Sequence, residues 1–301
     1  MNGNTLLGVV CLHDYITKKI DKFMFCSVYL FIIYLFPLYL LIFVRMNTNK
    51  LEKVAEENNN FVMNNKVYIP ETIEVLHGDL QITKCPIMDG NTIKTNVIFE
   101  TMKPDDCAIH YIESDIGKNI VIMNFACRYK CCGNYLSGYA GQEEDLCRCM
   151  PGLYASLSKI KYPFLEDSVL VTSPTEIMRD NQKYNLFPRF AMYFVGVVGV
   201  AAPQLQHENF DEHRVRRTLE NMYTSIKTYL PSTDTIILGA WGCGTSYLSG
   251  DYGNDPNVMS RIMNEVNLEY GGSFKNVVFS VPEGYNGRIF KNNIMTMKSN
   301  I

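Results

Sequence analysis

Tryptophan is almost missing from this chain, with one indole in 301 residues, and neither charge sign prevails: 28 Lys and Arg stand against 31 Asp and Glu, a formal net charge of -3. Without a basic excess the chain cannot neutralise a run of phosphates in bulk, which excludes direct nucleic-acid binding of the polycationic kind. No Asn-x-Ser/Thr acceptor occurs, so no N-glycosylation site is offered. The ten cysteines include no Cys-x-x-Cys pair, and the cluster Cys127, Cys131, Cys132, Cys147, Cys149 has no partnering His nearby. These are read as packed, reduced thiols of a cytoplasmic or nuclear protein, with neither a disulfide framework nor a zinc site. No metal and no other cofactor is expected.

One long hydrophobic run is present. Residues Phe23 to Val44 carry no charge and are numerous enough to cross a bilayer as a helix. Lys18, Lys19 and Lys22 precede the run and Arg45, Lys50 and Lys53 follow it, so the flanking charges do not set an orientation. The expectation is an N-terminal segment over 1–45 with a transmembrane helix at 23–44 as a membrane anchor. A polar helical lead-in over 46–70 and a folded domain over 71–301 follow. The alternative is that the working chain opens at Met46, with the run as an upstream extension.

Beyond Met46 a short helix is predicted over Lys50 to Glu57, ending in the Asn58-Asn59-Asn60 tract. Strand-like runs follow at Lys66–Ile69, Thr72–Leu76, Asn119–Phe125, Val169–Thr172, Met192–Val200, Thr235–Gly239 and Asn276–Val281. Most are continuously apolar and rich in β-branched residues, which predicts a sheet covered on both faces. Between them Val215, Leu219, Met222, Tyr223 and Ile226 repeat at helical spacing, as do Val258, Ile262 and Val266 behind an Asp255-Pro256 start. The alternation predicts a three-layer α/β/α domain with a parallel or mixed sheet, preceded by the hydrophobic N-terminal segment.

Two segments that follow strands carry chemistry. In the first, Asn124-Phe125-Ala126 leads through Gly133, Gly138 and Gly141 to Gln142-Glu143-Glu144, which should open a helix. Carboxylates are stabilised at a helix N-terminus by its dipole. They are also suited to acid/base work over a glycine-lined cleft at the carboxyl ends of the strands. In the second, Gly239-Ala240-Trp241-Gly242-Cys243-Gly244 runs on to Tyr252-Gly253-Asn254-Asp255-Pro256, an arrangement that presents successive backbone N–H groups to an anion. No Lys-Ser/Thr follows the glycines and the dinucleotide-type third glycine is missing, so neither nucleotide-loop signature applies.

Taken together and in order, these blocks resemble the microbial-type poly(ADP-ribose) glycohydrolases, which are built on a macrodomain fold. The resemblance is colinear from about Thr72 to Phe290. It includes Asn124-Phe125-Ala126, Gln142-Glu143-Glu144-Asp145-Leu146-Cys147-Arg148, Ala201-Ala202-Pro203, Leu238-Gly239-Ala240-Trp241-Gly242-Cys243-Gly244 and Asn254-Asp255-Pro256. It implies hydrolysis of the ribose–ribose O-glycosidic bond in poly(ADP-ribose), with release of ADP-ribose. Glu144 inherits the acid/base role, and Glu143 and Gln142 position ribose hydroxyls and the loop. Asn124, Ala126, Cys132, Gly133, Asn134, Gly242, Cys243, Gly244, Tyr252 and Asn254 are the matching substrate-binding positions. The implied partners are poly(ADP-ribose) or ADP-ribosylated proteins.

The chain departs from the family where three consecutive glycines are usual and Cys132-Gly133-Asn134 stands instead. Cys132 is expected to add a side chain where the ligand should lie. The loop after Gly244 is longer than usual, and Gln204 replaces Asn after Ala-Ala-Pro. The competing reading is therefore a catalytically impaired module that binds ADP-ribose without cleaving it.

Overall fold

The computed structural model describes residues 36–88, 94–188, 191–244 and 252–298. The chain divides after Lys50 into an N-terminal unit and a larger unit from Leu51 onward. Helix α1 (Phe36–Met63) is followed by β1 (Thr72–Val75), β2 (Asn96–Glu100), α2 (Pro104–Glu113) and β3 (Ile120–Phe125). Next come α3 (Gln142–Cys149), α4 (Pro151–Leu157), β4 (Val169–Ile177), β5 (Tyr193–Val200) and α5 (Glu212–Tyr229). The last elements are β6 (Thr235–Leu238), α6 (Pro256–Tyr270), β7 (Asn276–Ser280) and α7 (Tyr285–Lys298).

The expected membrane-spanning helix over 23–44 is overturned, and the membrane anchor and membrane-anchored localisation go with it. Among the described residues no helix is long and apolar enough to cross a membrane. The last part of the apolar run, from Phe36, opens α1, which continues unbroken into Asn47, Asn49, Lys50 and the charged turns beyond. Residues 23–35 lie outside the described residues.

Seven strands form one mixed sheet in the order β1-β4-β5-β3-β6-β7-β2. Strands β5, β3, β6, β7 and β2 run parallel, and β4 is antiparallel to both β5 and β1. Successive residues of each strand point to opposite faces. Val121 and Met123 of β3, with Ile236 and Leu238 of β6, enter a core shared with α5, α6 and α7. Ile120, Ile122 and Ile237 enter a second core with α2, α3, α4 and the Leu51–Met63 part of α1. Both faces are covered, which is why the strands read as unbroken apolar runs. This is the three-layer arrangement of a macrodomain-like fold.

Three expectations fail locally. Lys66–Ile69 forms no strand, since Pro70 follows it directly. Helix α1 does not stop at the Asn tract. Asn58 is 1% exposed and donates to the Arg148 carbonyl at 2.9 Å, so tertiary bonds replace the polar stop. Strand β4 extends past Pro174 to Ile177, because the register against β5 shifts between Thr172 and Thr175 and leaves the proline outside the ladder.

Candidate active site

The loops that leave the carboxyl ends of β3, β5 and β6 meet over the sheet edge. Val200, the last residue of β5, holds them together: its carbonyl accepts Ala126 N–H at 3.0 Å and Trp241 Nε1–H at 3.1 Å. Trp241 is fully buried at this junction. Asn254 closes the β6 turn, donating from Nδ2 to the carbonyls of Pro203 (2.8 Å) and Gly242 (3.1 Å). Gly242 has φ +71, and a β-carbon there would fall 2.6 Å from both the Ala202 β-carbon and Asn254 Nδ2. Only glycine permits that turn.

Helix α3 starts at the other side of the opening. Gln142 fastens its first turn to β3, accepting Phe125 N–H at 2.8 Å and donating to Met123 O at 2.8 Å. Glu143 points into the protein at 3% exposure, accepting Asn124 Nδ2–H at 3.1 Å and Cys127 N–H at 2.8 Å. Burial pushes its carboxyl well above the usual range, against the pull of these two donors. Glu144 points the other way, across the loop, where Oε1 accepts Asn134 N–H at 3.2 Å. Its carboxylate fills the space a β-carbon would need on Gly133 or Gly141, and contacts both glycines.

These groups wall a cavity of about 410 Å³. Of the positions singled out in the sequence, Ala126, Gly133, Asn134, Gln142, Glu143, Glu144, Gly242, Gly244 and Tyr252 line it. Asn124 and Asn254 stand behind the wall and hold it. Cys132 and Cys243 do not line it; they are 0% and 2% exposed. Cys132 has φ +50, which turns its side chain into the core beside Cys147 and leaves the cavity face of the loop to Gly133. Asn134 carries a side chain at the rim, where its Oδ1 accepts Lys130 Nζ–H at 2.7 Å. The lengthened loop over 245–251 lies outside the described residues.

A second cavity of about 520 Å³ adjoins the first, sharing Phe125, Gly141, Gln142 and Gly244 as walls. It opens over the carboxyl ends of β2 and β7. Asp105, in the first turn of α2, lies in its wall at 2% exposure; Oδ1 accepts Asn181 Nδ2–H at 2.5 Å and Oδ2 has no partner. Burial, with Asp106 beside it, pushes this carboxyl up to about 6. Sequence reasoning missed β2, α2 and Asp105. The signal available was Lys103-Pro104-Asp105-Asp106, a proline and two acids at a helix start. Among the described residues no group of three or more His, Cys, Asp or Glu is placed to hold a metal ion.

Below the site Arg148 is fully buried, donating to the carbonyls of Tyr135 (3.3 Å) and Tyr139 and pairing with Asp145 at 3.4 Å. It fixes the 135–139 stretch of the loop to α3. Asn58 of α1 bonds to the Tyr135 hydroxyl at 3.2 Å and is itself held by Arg179 Nε–H at 2.9 Å.

Solved structures with this architecture include the poly(ADP-ribose) glycohydrolase of Thermomonospora curvata bound to the inhibitor ADP-HPD. It matches at a TM-score of 0.64 and 20% identity, over 81% of this chain and 99% of that one. The Deinococcus radiodurans poly(ADP-ribose) glycohydrolase in complex with ADP-ribose matches at 0.59 and 22% identity, over 68% and 86%. No curated protein sequence matches the chain. Residues 43–174 match the family profile described as microbial-type PARG, catalytic domain. Residues 43–174 are thus similar to the microbial-type poly(ADP-ribose) glycohydrolase catalytic domain, and the chain shares its fold with these solved structures.

Proposed function

We propose that this protein hydrolyses ribose–ribose O-glycosidic bonds in poly(ADP-ribose), releasing ADP-ribose, with Glu144 as the single general acid/base. The observation that carries the reading is the position of Glu144. Its carboxylate stands in the 410 Å³ cavity against the Asn134 N–H, and the Gly242–Gly244 turn forms another wall. The turn's backbone suits a diphosphate, and the adjoining cavity is wide enough for the nucleoside end.

In this mechanism the Glu144 carboxyl gives its proton to the departing ribose oxygen as the anomeric C–O bond breaks. The resulting carboxylate takes a proton from water as the water oxygen bonds to the oxocarbenium-like carbon. Glu143, held by Asn124 and the Cys127 amide, positions the ribose beside it. Gln142 fastens the start of α3 to β3, and the Asn134 amide holds the carboxyl in place. The partners are poly(ADP-ribose) or ADP-ribosylated proteins; direct nucleic-acid binding forms no part of the reading.

The test is release of ADP-ribose from purified polymer. Glu144→Gln should lower the rate by about 10²- to 10⁴-fold, the range for removing a general acid/base, with ADP-ribose affinity kept within a few-fold. Equal rates for the two proteins refute the assignment. Binding of ADP-ribose by the unmutated protein with no release would instead establish the binding-module reading.

A further inference from the structure

The thiols of the β3–α3 loop play no part in the proposed hydrolysis, yet they sit directly under it. Cys131 is partly exposed, and its Sγ lies 3.8 Å from that of Cys132, which is wholly buried. Cys132 in turn faces Cys147 on α3. Chain order then leads at once to the catalytic wall. Gly133 abuts the Glu144 carboxylate, and the Asn134 N–H is bonded to it.

We propose that Cys131 and Cys132 form a peroxide-responsive dithiol whose closure to a vicinal disulfide disengages the Asn134 amide from Glu144 and slows turnover. The effect on turnover rests on the glycohydrolase reading; the oxidation itself does not. Cys131 is the attacking group, because it is the accessible one and because the Cys132 thiol, hydrogen-bonded to it, draws its ionisation below the ordinary thiol range. Cys132, buried and pushed the other way by desolvation, is the resolving group.

The Cys131 thiolate attacks one oxygen of hydrogen peroxide and displaces hydroxide, which becomes water on taking up a proton, leaving a sulfenic acid. The Cys132 sulfur then loses its proton and attacks the sulfenyl sulfur, expelling the hydroxyl as a second water. Two thiols and one peroxide give one disulfide and two waters, a balanced two-electron oxidation.

The geometry explains why such a bond would act on the site. Adjacent α-carbons stand about 3.8 Å apart across a trans peptide, closer than the roughly 4.4–6.8 Å of an ordinary disulfide. That separation is set by the peptide itself, so the ring closes only by distorting the Cys131–Cys132 peptide and rotating the torsions on either side of it. Cys132 already sits at φ +50 and Gly133 at φ +54, so the rotation passes straight into the turn that positions Asn134. A strained bond of this kind is readily reduced, as reversible control requires.

The experiment treats the full chain with dilute hydrogen peroxide, quenches it, and maps its peptides by mass spectrometry before and after dithiothreitol. ADP-ribose release is measured in parallel. The expected result is a peptide lacking two hydrogens with Cys131 joined to Cys132, at least a tenfold fall in release, and recovery of both by dithiothreitol. Cys131→Ser should keep the basal rate and resist peroxide; this partly exposed position also keeps the test open if Cys132→Ser fails to fold. A Cys132–Cys147 bond, sulfinic acid at Cys131 with no disulfide, or no oxidation overturns the proposal. A Cys131–Cys132 bond that leaves release unchanged overturns its regulatory half. If the reduced protein releases nothing, the glycohydrolase reading has failed instead; the peptide map still decides the disulfide, and ADP-ribose affinity replaces release as the readout.

Discussion

Gly133 and Glu144 fix each other's position: a β-carbon on Gly133 would lie 2.5 Å from Glu144 Oε1. The glycine also has φ +54, where a side chain costs about 1 kcal/mol or slightly more. Gly133→Ala should therefore push the carboxylate off the Asn134 amide while leaving the fold intact, since the displaced group is the end of a flexible side chain. ADP-ribose release is expected to fall by about tenfold or more, with a loss in stability of about 1–2 kcal/mol. Rate and urea midpoint together check this; an unchanged rate would show that the carboxylate need not stand where the glycine lets it.

Asp105 gives a pH-dependent prediction. Its carboxyl titrates near 3.8 in the unfolded chain and about 6 in the native protein, a difference on the order of 3 kcal/mol. The folded value is raised, so the group imposes no penalty below about pH 4 and costs stability as pH rises through 6. Asp105→Asn keeps an oxygen for Asn181 and removes the charge. The variant should be more stable than the parent at pH 7.5, with the advantage shrinking as the pH falls toward 4. Denaturation midpoints across that range test it, and a destabilised variant at pH 7.5 contradicts it.

Asn58 ties α1 to the loop through Tyr135 and Arg148. Asn58→Ala leaves the buried Arg179 Nε–H and the Arg148 carbonyl without this partner. At about 1–3 kcal/mol for each unsatisfied group, a loss of about 2–6 kcal/mol is expected in urea unfolding. A neutral result would mean that the helix merely rests on the loop.

Trp241 is the chain's one indole and lines the cavity, so its emission should change as ADP-ribose is titrated in. Trp241→Phe removes the bond to Val200 O, but that carbonyl keeps Ala126 N–H and is not orphaned. The substitution should thus cost about 1 kcal/mol from the lost bond, with the fluorescence response abolished. Retention of a ligand-dependent signal would place its source elsewhere.

How much could be read from the sequence depended on whether a residue's role is local. Strands β3, β6 and β7 were visible because both their faces are buried, and α3 because its acids mark a first turn. Helix α1 beyond Glu57 was not: three asparagines argue locally for a stop, and only the bonds from Asn58 to distant partners reverse that. Cys132 was misjudged for a related reason. A residue type says nothing about the sign of φ, and a left-handed turn sent the thiol inward instead of into the cavity. Asp105 was hidden because β2 precedes it as the short Asn96–Glu100 segment at a sheet edge, in one register with β7. Two groups far apart in the chain make that cavity wall, and no spacing rule connects them.

The Gln142 side chain bonds to Phe125 N–H and Met123 O, and Glu143 accepts from Asn124 and the Cys127 amide, which means that the excursion from 126 to 141 is cinched at its base by two adjacent side chains. Whatever happens within the noose, the β3 edge and the start of α3 remain in register. Mutational drift can therefore accumulate in the span between them while the pair of acids downstream stays put.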